Sequence, residues 1–171
     1  MHYKAGYKKA YSDFSRVFND ALNNNELIAQ ESNTFDSVAG EVAWNAIKSR
    51  FKVVKECNDS LHMVNICWVH NPSSTWAGYP TNSSSRAFID ASGRVWVQKF
   101  IGSSVYFVDI NGAKGPNIFG KDRFTFVFID KDGRMLAKGM PASVLPGWNS
   151  DVTEQNGYCH KPPCYYHSWL F

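Results

Sequence analysis

Three side chains with hard oxygen donors, Asp109, Asn111 and Asp122, fall in one glycine-punctuated stretch, FVDINGAKGPNIFGKDRFTFVFID, residues 107–130. Carboxylate and amide oxygens are the ligands that calcium takes, so an ion could be held here. The stretch is not an EF-hand loop, which needs oxygens at alternate positions, Gly at the sixth and Glu at the twelfth. Nor is it a phosphate cradle. Neither GxGxxG nor GxxxxGK[ST] is present, and Gly115-Pro116 removes an N–H that a cradle would use. A second reading needs no ligand. Asp at the first and Gly at the fourth position of a turn favour type I geometry: the carboxylate caps the turn, and Gly takes the backbone angle that follows. The turn reading is preferred, with calcium on Asp109, Asn111 and Asp122 as its alternative. No other cofactor is expected.

The cysteines offer the next chemistry. Cys57, Cys67, Cys159 and Cys164 form two close pairs, which fits two local disulfides, Cys57–Cys67 and Cys159–Cys164, and an oxidising compartment. Zinc is the rival, with His62, His70, His160 and His167 nearby, but it would want CxxC-type knuckles, and neither pair has that spacing. A catalytic site is harder to assemble. No GxSxG nucleophile elbow occurs, and the acidic residues fall mostly in turns or on helix faces. No catalytic residue is assigned, and the chain reads as non-enzymatic. Trp76, Trp148 and Trp169 stand in loop-like contexts, where exposed aromatics suit sugar stacking or a protein interface, with half-buried packing as the equal alternative.

Composition narrows the classes. The 171 residues suit one domain with a real core, at 44% apolar and 15% aromatic. The net charge is only +3, and no basic block of five or six residues exists, so nucleic acid is not an expected partner. The densest basic stretch, Lys48, Arg50, Lys52 and Lys55, reads as the wet face of a helix. The longest apolar run, residues 124–129, is far short of the roughly 18 residues of a membrane span.

The elements that must position these groups follow from periodicity. Ala10, Phe14, Val17, Phe18, Ala21 and Leu22 keep the three-and-four spacing of one apolar helical stripe, and Tyr3 and Tyr7 extend it backwards. A stripe already running at residue 3 implies a helix that starts further upstream. Asn23, Asn24 and Asn25 interrupt it, with a resumption expected through residues 26–31. Asp36 or Ser37 can cap a second helix, with Val38, Val42, Ile47, Phe51 and Val54 on its apolar side and Cys57 at its end. Residues 58–85 are loop-rich, with HMVNICWV as a candidate short strand. From Arg86 the runs become β-branched and aromatic. FIDASGR, FVDINGA and FIDKDGR repeat one device, a strand end followed by Asp-x-x-Gly, so Asp90/Gly93, Asp109/Gly112 and Asp130/Gly133 should mark turns of an antiparallel meander. The fold class is α+β in a single domain, 1–171. Its parts are a helix over 1–32, a second helix and loops over 36–85, a sheet over 86–138, and an irregular cysteine-stapled tail over 139–171.

In this order the features resemble the globular region of type IV pilin-like proteins, the minor pilins and pseudopilins. KAGYKKAYSDFSRVFNDAL resembles the soluble half of the long pilin helix. VYFVDINGAKGPNIFGKDRFTFVFIDKDGRMLAKG is similar to a DxNGxKGPNxxGxDxFxF stretch common in such sequences, and the late cysteine-bearing tail completes the likeness. The family's prepilin signal and apolar membrane helix do not occur in this sequence. The resemblance implies a structural subunit of a type IV pilus or type II secretion pseudopilus, with other pilin or pseudopilin subunits as partners. It implies a periplasmic or cell-surface location, with an inner-membrane anchor before assembly. A secreted adhesin that binds glycan or protein through its tryptophans is the alternative.

Overall fold

The computed structural model describes residues 3–27, 37–58, 66–69, 85–98, 105–117, 121–129 and 134–137. The first helix, α1 (Tyr3–Asn23), buries Tyr7, Ala10, Phe14, Val17, Phe18 and Ala21 along one stripe. Its end is fixed by Asn25, which takes a left-handed φ of 56°. The Glu26 amide reaches back to the Ala21 carbonyl at 2.9 Å and the Asn25 amide to that of Leu22 at 3.1 Å. That is a Schellman stop, and asparagine fills it because its short amide tolerates the left-handed region. The expected resumption does not begin at Glu26 or Leu27, and residues 28–31 lie outside the described residues.

The second helix, α2 (Ser37–Lys48), is shorter than the sequence suggested. Its buried side is Ala39, Ala43, Trp44 and Ile47, while Val38 is 65% exposed. Alanines let the helix lie close, and Trp44 fills the space beyond them, its ring 5.4 Å from that of Phe88. After Lys48 the helix unwinds through Arg50 and Phe51 amides bonded three residues back. Residues 53–57, read above as the helix end, form strand β1 (Val53–Cys57) instead. Adjacent β-branched Val53 and Val54 disfavour helix there, and pairing with the next strand supplies the backbone partners. The basic stretch is therefore not one helical face. Lys48 ends α2, Arg50 clamps Asp20 and Glu26 beside the end of α1, and Lys52 and Lys55 flank or enter β1. Ile66 and Cys67 lie in a π-helical turn rather than a strand.

The remaining strands are β2 (Arg86–Asp90), β3 (Val95–Gln98), β4 (Val105–Asp109), β5 (Arg123–Ile129) and β6 (Arg134–Ala137). With β1 they make a six-stranded antiparallel sheet in sequence order, the meander expected from residue 86 with one strand added in front. Side chains alternate between its faces. Phe88, Trp96, Tyr106, Val108, Phe124 and Phe126 join α1 and α2 in one core cluster. Phe14 sits at its centre, with ring centroids 5.4–5.5 Å from Trp96, Tyr106 and Phe126. Ala87, Val95, Val97 and Phe107 point the other way and form a second cluster with Cys57, Cys67 and Trp68. Among the described residues no helix is long and apolar enough to cross a membrane.

Candidate functional site

Two Asp-x-x-Gly turns lie together at one end of the sheet. The first joins β2 to β3. Asp90 Oδ1 accepts the amides of Ser92 (2.8 Å) and Arg94 (3.2 Å), and Gly93 takes a φ of 81°. Asp90 Oδ2 accepts Arg94 Nε and the Trp96 indole N–H, both at 2.8 Å. Arg94 then extends to Asp13 of α1 at 2.8 Å, so the turn is tied to the helical layer.

The second turn leaves β4. Asp109 Oδ1 accepts the Asn111 amide at 3.2 Å, and Gly112 takes a φ of 65°. Asp109 Oδ2 accepts Arg123 Nε at 2.7 Å. With its side-chain amide turned to suit its neighbours, Asn117 also donates to Asp109 Oδ2 (3.2 Å) and to the Gly112 carbonyl (3.3 Å). Asn117 itself sits at a φ of 58°, the left-handed angle expected of asparagine after Gly115-Pro116. Asp122 reaches back as expected: its Oδ2 accepts the Asn117 amide at 2.8 Å, while its carbonyl accepts the Ile110 amide at 2.9 Å. The two turns touch, since a Cβ on Gly112 would stand 2.7 Å from the Gly93 carbonyl oxygen.

The chemistry this arrangement supports is structural. Asp109 and Asp122 are fully buried. Burial pushes the Asp109 carboxyl up to about 7, against the pull of Arg123. The same burial lowers Arg123. A cation approaching Asp109 Oδ2 would meet a guanidinium already there, so as arranged the three residues do not fit a calcium site. Asn111 Oδ1, buried and without a partner among the described residues, is the acceptor an added cation would reach. Among the described residues no group of three or more His, Cys, Asp or Glu is placed to hold a metal ion.

The Cys57–Cys67 disulfide is formed, as expected. Cys159, Cys164, Trp76, Trp148, Trp169 and the Asp130/Gly133 turn lie outside the described residues. Three residues that the sequence reading passed over prove central: Arg94, Arg123 and Trp68. A signal for the arginines was present. Two of the three repeats end in Gly-Arg, and Arg123 opens the strand that pairs with β4, opposite Asp109. Compared with known family models, with curated proteins and with solved structures, the chain matches none.

Proposed function

We propose that this chain is a non-enzymatic structural domain of a pilin-like fibre subunit, acting by assembly and by display of its surface loops. One observation carries the reading: the most family-like stretch is spent on structure. Asp109 and Asp122 are buried and turned inward onto N–H donors of their own loop. The long α1 stripe laid on an antiparallel meander is consistent with the same reading. The disulfide suits an extracytoplasmic location.

The test is fractionation of cells that express the full gene product with an epitope tag. In this reading the chain is recovered with sheared surface fibres or with the secretion apparatus, and recovery is lost when the prepilin peptidase is deleted. A chain absent from both fractions, with a purified domain that binds a defined glycan on an array, would replace this reading with the adhesin one.

A further inference from the structure

We propose that the Cys57–Cys67 disulfide is a latch on the second turn, so that residues 109–117 are held only in the oxidised chain. Three consecutive residues make the connection. Cys67 is bonded to the end of β1. Trp68, 2% exposed, lies under Arg123 with its ring centroid 4.0 Å from the guanidinium carbon and 6.0 Å from the Phe107 ring. Arg123 Nη2 donates to the Val69 carbonyl oxygen. Arg123 in turn bonds Asp109, which caps the turn at Asn111. The guanidinium thus stands between the disulfide-bearing segment and the turn, with one acceptor on each.

Among the described residues the arginine of the first turn makes no such connection, and the turn meets that layer only through the Ala91 amide on the Lys52 carbonyl (2.9 Å) and through Val95 in the cluster with Cys57 and Cys67. Asp90, Arg94 and Asp13 meet on the helical face. The cluster on that face shares no residue with the one containing Cys57, Cys67 and Trp68. Without the cross-link, the ten-residue separation between the cysteines is closed by non-covalent contacts alone, and Trp68 and Val69 lose their covalent anchor. Arg123 then keeps Asp109 but loses its ring and its carbonyl. A buried guanidinium with one partner is poorly compensated, so the turn opens toward water. Reduction takes two electrons and two protons from a dithiol, leaving two cysteine thiols and a cyclic disulfide on the reagent. Both cysteines are 1% exposed, so in the folded chain the bond is shielded from solvent, and the cysteine-free variant supplies the state without it. A chain still reduced would carry a finished helix–sheet core and an unfinished turn. This inference does not depend on the fibre reading.

Amide hydrogen exchange tests it on the oxidised chain, on the chain after dithiol reduction, and on the Cys57→Ala/Cys67→Ala double variant. The Asn111 and Asn117 amides should exchange about 10-fold faster or more without the disulfide, while the Ser92 and Arg94 amides change by less than about 2-fold. Trp68→Leu in the oxidised chain should release Asn111 and Asn117 in part, with the disulfide intact. Equal acceleration at both turns would mean that the bond only stabilises the whole domain, and would overturn the latch. So would unchanged exchange at Asn111 and Asn117, or a Trp68→Leu variant whose second turn is as protected as wild type.

Discussion

The two Asp-x-x-Gly turns use the same parts for different ends. Each has an aspartate capping the amide two residues on, a glycine at positive φ, and an arginine whose Nε bonds the far carboxylate oxygen. The difference is strand parity. Asp90 shares a face with Phe88, so its arginine meets Asp13 and the helices. Asp109 shares a face with Phe107, so its arginine meets Trp68 and Val69. One local device, shifted by one residue in the pleat, braces opposite layers of the domain. The second pair is also the drier one. Arg123 and Asp109 are 5% and 0% exposed, against 9% and 4% for Arg94 and Asp90, and the outer partner of Arg94, Asp13, is 20% exposed.

Breaking the pairs should expose that difference most strongly. Asp109→Ala strands Arg123 in the interior and should cost about 3–5 kcal/mol of unfolding free energy. Asp13→Ala leaves Arg94 bonded to Asp90 and should cost about 1 kcal/mol. Chemical denaturation of both variants checks the ranking, and equal costs would erase the distinction between a buried brace and a rim brace.

The glycines sharpen it on a smaller scale. Gly112 needs its positive φ and also has the Gly93 carbonyl where a Cβ would go, so Gly112→Ala should cost about 2–3 kcal/mol. Gly93 has the positive φ but open space around it, so Gly93→Ala should cost about 1 kcal/mol. Melting temperatures in the reverse order would mean that the turns do not abut.

The two pairs should also differ in a pair of opposed pH slopes. Burial raises Asp109 from its ordinary 3.8 to about 7, so the folded chain holds a proton that the unfolded chain releases between those values. Its contribution to stability therefore falls as pH rises from about 4 to 7. Burial also pulls Asp13 up, but Arg94 and Lys9 outweigh it and leave the carboxyl below its usual range. That contribution is present above about pH 4 and is lost on acidification. Asp109→Asn should flatten the first slope and Asp13→Asn the second, read as denaturation midpoints across pH.

Much of this was legible in the residues. The α1 stripe, the meander from Arg86, the asparagine stop, the near disulfide and the capping roles of Asp90, Asp109 and Asp122 all follow from local periodicity and turn chemistry. What escaped is what depends on tertiary partners. Val53 and Val54 fit a helical pattern extended from Val38, and only their pairing with β2 makes them a strand. Val38 and Val42 looked like core positions, whereas Ala39 and Ala43 hold the close contact and Val38 faces outward. Arg123 was passed over, because nothing within ten residues of it predicts Trp68 or Val69. A cap can be read from its own four residues. A brace between layers needs the partner that the fold brings.

The central claim is that an internal cation, the Arg123 guanidinium, holds the second turn in place of a bound ion. Calcium on Asp109, Asn111 and Asp122 is the direct rival, and Asn111 Oδ1 is the atom such an ion would engage. Thermal melts of wild type and Asp122→Ala, each with chelator and with excess calcium, separate the two. The Arg123 account predicts wild-type melting temperatures that coincide in chelator and in calcium. It also predicts an Asp122→Ala loss of about 1–2 kcal/mol that is the same in both, the scale of one lost hydrogen-bonded cap. A wild-type melt that rises with calcium by mass action, and a rise that vanishes in Asp122→Ala, would contradict it.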